Sequence, residues 1–437
     1  MIFLKKLLNL ENHKNSGQSY FYLGTFFLAS ALPISAIFFF IALIKSILRN
    51  RLQVFKDKWN QYLLLIASLF LLTNLRFYFF DNSIELLSFD KAQSLYSLFN
   101  WYPLFLIFIY FQTYLKGIKE REIFSKYLIS GTIPVIVSCI LQLWFKVYGP
   151  FITFGGLITW FNKPPGLTEG VTGLFSNSNY TGFWFSTIFP LTIYLITKIK
   201  RLNAKSAFLS LVSLLTFYFI ISTNSRNAIL SFFVSSVFVY GIKGIFAILI
   251  ILLLTFLISN LLTLTFSSSN LSITNTLFLN NLLEKIYFKN ILYLNEFIRV
   301  KIWSNSIKLI LQKPFFGYGA ITFPIFYHLY NNSDFQHSHN MILQIAYENG
   351  IPLSIALTSF ISLLFYRTYK TINKSRNKNN QERLLNKTWL ACLLVAIMHH
   401  LSDITYFDGK ISILIWILIA GSKCIINEQN ESLNYSI

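Results

Sequence analysis

Apolar runs long enough to cross a bilayer recur along this chain, and the short segments between them are rich in lysine and arginine. A hydrocarbon core about 30 Å thick takes about 20 apolar residues of helix. Runs of this kind fall at about 61–80, 95–115, 127–148, 183–198, 206–222, 244–266, 351–366, 388–402 and 411–426, and another begins directly after Ala228. The first run, Tyr20 to Ile47 around Pro33, is long for one span and short for two. The pattern predicts an all-α polytopic membrane protein with eleven or twelve transmembrane helices.

Charge supports that reading and orients it. Only 12% of the residues are charged, about half the share of a soluble protein. The net charge of +20 suggests nucleic acid at first sight, but the cations sit in short loops, as the positive-inside rule requires. Twenty-two of the 37 lysines and arginines fall in the loops around Lys45–Lys58, Lys116–Lys126, Lys198–Lys205, Lys243 and Arg367–Lys387 and at Lys423, which are therefore assigned to the cytoplasm. No cleavable signal peptide is expected, because Lys5 and Lys6 lead into a stretch without a long apolar core. Cys139, Cys392 and Cys424 lie far apart in or beside apolar runs and suggest neither a disulfide framework nor a zinc site. The chain divides into an N-terminal membrane bundle at 1–266, a large extracytoplasmic loop at 267–350, and C-terminal membrane helices at 351–437. The loop opens with a Ser/Asn-rich patch and continues with amphipathic helical patterning through Leu282, Ile286, Ile291, Phe297 and Ile302.

The chemistry concentrates at the end of that loop. Gln336-His337-Ser338-His339-Asn340 is followed by an apolar stretch and then Glu348-Asn349-Gly350-Ile351-Pro352. Ser338 is a good N-cap, and Gly350 with Pro352 is a stop signal, so a short helix is predicted from about His339 to Glu348. In its first turn the helix dipole disfavours a charged imidazolium, and a neutral imidazole can take a proton from a hydroxyl. Glu348, at the far end and on the opposite face, cannot hold His339 directly. His337-x-His339 falls short of the three or four ligands a zinc site needs, so no metal and no cofactor are expected.

His339-Asn340, the apolar helix and Glu348-Asn349-Gly350-Ile351 together resemble the signature of the O-antigen ligase and polymerase family, bacterial membrane glycosyltransferases that use polyprenyl-pyrophosphate-linked glycans. Further segments are similar to the family's pattern: Arg299-Val-Lys301-Ile-Trp303, Pro314-Phe-Phe-Gly317-Tyr-Gly319, Ser222-Thr-Asn-Ser-Arg226, and Gly173 to Gly182 with Asn177 and Asn179. The resemblance implies transfer of a glycan from undecaprenyl pyrophosphate to an acceptor hydroxyl, on lipid A core or similar, at the periplasmic face of the bacterial inner membrane. It implies His339 as catalytic base, and Arg226 and Arg299 as pyrophosphate ligands, since guanidinium offers bidentate donors and stays charged. Lys301 and Arg76 are weaker candidates of the same kind. Asn340, His337 and Asn179 join the substrate contacts, although an Asn/Ser/Gly turn explains Asn179 equally well. His399 and Asp403, with His400, share one helix end and are functional candidates as ionisable groups in a membrane; they line the acceptor path or pair with each other. Two other readings stay open: a polymerase of the same family, whose acceptor differs, and a polysaccharide flippase, which should place its charges at mid-membrane.

Overall fold

The computed structural model describes residues 17–50, 53–81, 89–166, 169–199, 201, 203–241, 243, 244, 246, 250, 298–374 and 380–434. The predicted span at 244–266, the Ser/Asn patch and the amphipathic stretch through Ile291 lie almost wholly outside these residues. In chain order the helices are α1 (Gln18–Phe27), α2 (Leu32–Asn50), α3 (Lys58–Phe80), α4 (Ala92–Tyr96), α5 (Tyr102–Phe111), α6 (Ile118–Trp144), α7 (Ser178–Thr197), α8 (Ala204–Ser222) and α9 (Arg226–Tyr240). After these come α10 (Ile298–Gln312), α11 (Phe323–Asn331), α12 (Met341–Asn349), α13 (Ile351–Lys374), α14 (Asn380–Ser402) and α15 (Gly409–Asn434). Eight helical segments among the described residues are long and apolar enough to cross a membrane. The chain is an all-α polytopic membrane protein.

The run at 20–47 is a hairpin with unequal arms. The ten-residue α1 turns back before Pro33, and the hydroxyl of Ser35 donates to the carbonyl of Gly24 across the two arms at 2.7 Å. Helix starts follow the side chains that cap them. Asp57 accepts from the backbone of Trp59 and Asn60, and Asn203 and Ser206 form a reciprocal capping box. Asn177 caps α7, which therefore begins at Ser178, several residues earlier than the sequence predicts. One element was not foreseen: Phe151–Thr153 and Ile158–Trp160 pair as a small antiparallel hairpin within the 149–181 segment.

Ion pairs collect at the two ends of the bundle. Lys423 pairs with Asp57, Arg121 with Glu428, and Glu122 with both Lys126 and Lys198, at the end where the basic loops gather. At the other end Lys313 pairs with Asp81 at 2.9 Å and Arg299 approaches Asp403. Above this second end a small separate core forms from Phe77, Ile302, Leu309, Tyr318, Phe323, Tyr327 and Tyr347. It joins α10, α11 and α12 into a cap on the membrane helices. Gly350 links that cap to α13 with no intervening loop. Its φ is +90°, and a Cβ there would lie 2.1 Å from the carbonyl oxygen of Phe315, so only glycine fits.

Candidate active site

The His337–Asn340 segment folds differently from the prediction. Asn340, not Ser338, caps α12: its Oδ1 accepts from the backbone N–H of Ile342 and Leu343, at 3.0 and 3.1 Å. The carboxamide wins because the backbone turns one step before the helix. His339 lies outside the helix with φ +52°, a left-handed conformation in which histidine is enriched among side-chain-bearing residues. His339 is therefore not in the first turn of the helix, contrary to the expectation from sequence. The other end of the Asn340 carboxamide donates to the carbonyl of Leu401 at 2.9 Å, which ties the segment to the end of α14.

That tie brings His339 to a carboxylate 64 residues away. The Nδ1 of His339 lies 3.0 Å from Oδ1 of Asp403. An ionised carboxylate can only accept, so Nδ1–H donates to it and, in the neutral imidazole, the lone pair lies on Nε2. Asp403 is the hub of the site. Its Oδ2 accepts from the Asn179 carboxamide at 2.7 Å, its Oδ1 from the backbone of Ile404 at 2.9 Å, and Arg299 stands at 3.9 Å from Oδ2. Burial by itself raises the Asp403 carboxyl, but the bond from His339 and the charge of Arg299 outweigh it and hold the group down at about 2. It is an anion at any physiological pH.

His337 stands beside this pair, with ring centroids 4.3 Å from His339. Its Nδ1 accepts from the backbone N–H of His339 at 3.3 Å. Burial, and then repulsion from His339, push its pKa down to about 4, so it is neutral. His337, His339 and Asp403 each bring one ligand atom within 4.8 Å of the others, a third ligand that the sequence did not place beside the histidines. The Arg299 guanidinium already stands against the same carboxylate.

The remaining predicted residues divide. Asn179 and Arg299 reach Asp403, and the Gly173–Gly182 stretch is a turn, capped by Asn177, that carries Asn179 to that carboxylate. Asp403 and His399 do not pair through their side chains. Their link is a backbone bond, Asp403 N–H to His399 carbonyl at 2.8 Å, because α14 ends at Ser402 and the chain turns Asp403 away from the helix face. The His399 ring is fully buried, edge-on to Phe183, with neither nitrogen partnered among the described residues. His400 hydrogen-bonds with Thr405 at 3.2 Å. Arg226 opens α9 with its side chain exposed and makes none of the hydrogen bonds or ion pairs described around Asp403. Its neighbour Asn227 donates to the carbonyl of His399 at 3.1 Å, which places the start of α9 against the end of α14. Arg76 stacks on Phe316 at 4.8 Å. Sequence reasoning missed Gln344, which accepts from the backbone of Ser338 and donates to Glu348; its i, i+4 spacing from Glu348 was the available signal.

Fold and site together define a multi-pass, all-α membrane protein with a polar, histidine-bearing site built where one end of the bundle meets a helical cap. Residues 211–358 match the family model described as O-Antigen ligase, and over that segment the chain is similar to the O-antigen ligase and polymerase family. The match takes in Arg226, Arg299, His337, His339 and Asn340 and stops short of Asp403. No curated protein matches the chain.

Proposed function

We propose that the protein transfers a glycan from undecaprenyl pyrophosphate to an acceptor hydroxyl, on lipid A core or a similar acceptor, at the periplasmic face of the bacterial inner membrane. The observation that carries the mechanism is the His339–Asp403 bond. Asp403 fixes the imidazole with Nδ1 protonated and stabilises the imidazolium that forms when Nε2 takes the proton of the acceptor hydroxyl. The acceptor oxygen attacks the anomeric carbon, the bond from that carbon to the pyrophosphate oxygen breaks, and the electron pair leaves with the pyrophosphate. A single displacement of this kind inverts the anomeric carbon. In this reading Arg299 meets the charge that grows on the leaving group, and Arg226 is a second guanidinium from the start of α9. In this reading no metal takes part, because a guanidinium supplies the positive charge at the carboxylate hub.

An apolar groove beneath the site supports a lipid-linked donor. Met341, Ile345, Ile361, Leu393, Ile397 and Trp416 line it, and on α14 the lining extends from Leu401 about two turns down to Leu393. His400 is part of the same wall. The polar groups of the site gather at one end of the bundle rather than midway along it, which favours transfer over transport.

The test is transfer by the purified protein from a polyprenyl-pyrophosphate glycan to an acceptor lipid, with and without His339. Transfer that the His339→Ala variant retains at full rate overturns the assignment. Ligase and polymerase separate in a gene deletion: unligated lipid-linked polymer marks a ligase, and single repeat units on the core mark a polymerase.

A further inference from the structure

Glu348 lies at the end of α12 farther from His339, on the buried side of the cap, and its side-chain hydrogen bonds run to Gln344 and Ile321. Its Oε1 accepts from the Gln344 carboxamide nitrogen at 2.9 Å and from the backbone N–H of Ile321 at 3.3 Å. The carboxamide oxygen of Gln344 in turn accepts from the backbone N–H of Ser338 at 2.8 Å. Ser338 is fully buried, and its hydroxyl donates to the carbonyl of Asn340 at 2.8 Å. His339 is thus held between two residues that are both tied down, in a backbone conformation that a side-chain-bearing residue keeps only when its surroundings impose it.

The polarity of this chain has only one workable sense. A carboxamide has one accepting end and one donating end. Turned over, Gln344 would set its NH2 against the N–H of Ser338 and its oxygen against the Glu348 carboxyl, two like-to-like contacts in a buried place. Glu348 therefore decides which end of Gln344 faces Ser338. We propose that Glu348 and Gln344 are positioning residues for His339, acting through the Ser338 backbone to hold the imidazole against Asp403. The consequence for catalysis rests on the glycosyl transfer proposed above. Through Ile321, and through the bonds from the Tyr318 and Gly319 N–H groups to the carbonyls of Tyr347 and Glu348, at 2.8 and 3.0 Å, the same relay joins the Pro314–Gly319 loop to the base.

The experiment uses the full-length protein at pH 8 and four variants: Glu348→Ala, Glu348→Gln, Gln344→Glu, and the exchange Gln344→Glu/Glu348→Gln. Three quantities are read: single-turnover rate, donor affinity, and the rate at which diethyl pyrocarbonate modifies His339, followed by mass spectrometry. Glu348→Gln keeps an accepting oxygen and should retain the wild-type rate. Glu348→Ala and Gln344→Glu should lower the single-turnover rate about 10- to 100-fold, the scale of a slightly misplaced catalytic group, with donor affinity unchanged. In the exchange variant the carboxylate introduced at position 344 accepts from the Ser338 N–H, and the amide introduced at position 348 donates to that carboxylate. The rate and the His339 modification rate should then return toward wild type. A merely structural role would lower rate and thermal midpoint together and show no such recovery. An exchange variant no better than Gln344→Glu, at an unchanged thermal midpoint, overturns the relay. If Glu348→Ala does not fold, the exchange pair decides. If the wild type transfers no glycan, the proposed function fails, and the His339 modification rates still decide the relay.

Discussion

His339 and Asp403, 64 residues apart in the chain, meet with Nδ1 and Oδ1 separated by 3.0 Å. Asp403 follows directly on the last residue of α14, and His339 precedes the cap of α12 by one residue. Two helix ends therefore set the distance, and the Asn340–Leu401 bond pins them together.

His339→Ala should lower the transfer rate on the order of 10²- to 10⁴-fold, the contribution of a positioned acid–base group. Donor affinity should stay close to wild type, because in the proposed mechanism the imidazole serves the acceptor. Single-turnover rates and donor binding on the purified variant check this.

Asp403→Asn should come close to the His339 variant in rate. An amide leaves the imidazole tautomer unfixed and does not stabilise the imidazolium, and in a Ser-His-Asp triad the same exchange costs about 10⁴-fold. The informative measurement is the double variant with His339→Ala. If the two residues act as a unit, the double loss is little larger than the single one.

Arg299→Lys and Arg226→Lys should weaken donor binding as well as rate. Lysine keeps the charge and loses the forked geometry that a pyrophosphate uses. Donor affinities at wild-type level for both variants would remove the arginines from the pyrophosphate site.

Transfer should survive a strong chelator. His337, His339 and Asp403 are close enough to share an ion, so the measurement decides between two uses of one cluster. Loss of activity restored by a divalent cation would assign the cluster to a metal and the Arg299 approach to a neighbouring role.

Glu348 should make stability fall with rising pH. Burial raises its carboxyl from 4.5 to about 7, against the lowering bonds from Gln344 and Ile321. Between those values the folded state binds more protons than the unfolded state, so stability declines as pH rises through the window. Asp403 acts in the opposite sense, and only in acid: its contribution is lost as pH falls from 3.8 toward 2. The thermal midpoint of the wild type should therefore drop from pH 5 to pH 8, and Glu348→Gln should flatten that drop.

The membrane helices were legible in the sequence because the signals that define them are local. Hydropathy over about 20 residues marks a span, and the lysines and arginines between spans mark one side. The histidine segment, Arg299 and Asp403 stood out for a similar reason, as ionisable groups in an apolar chain. Their partnerships did not. Asp403 looked like a partner for His399 by helical spacing, but α14 stops one residue short of it, and the chain turns its carboxylate toward His339, Asn179 and Arg299. Ser338 looked like the helix cap, yet the cap falls to Asn340 once His339 takes a left-handed backbone conformation. The segment is also held by contacts with the end of α14, at Leu401 and Asp403, that no local window of sequence contains. Spacing along one helix is read from the chain; the directions in which side chains leave two helix ends are settled only when those ends pack against each other.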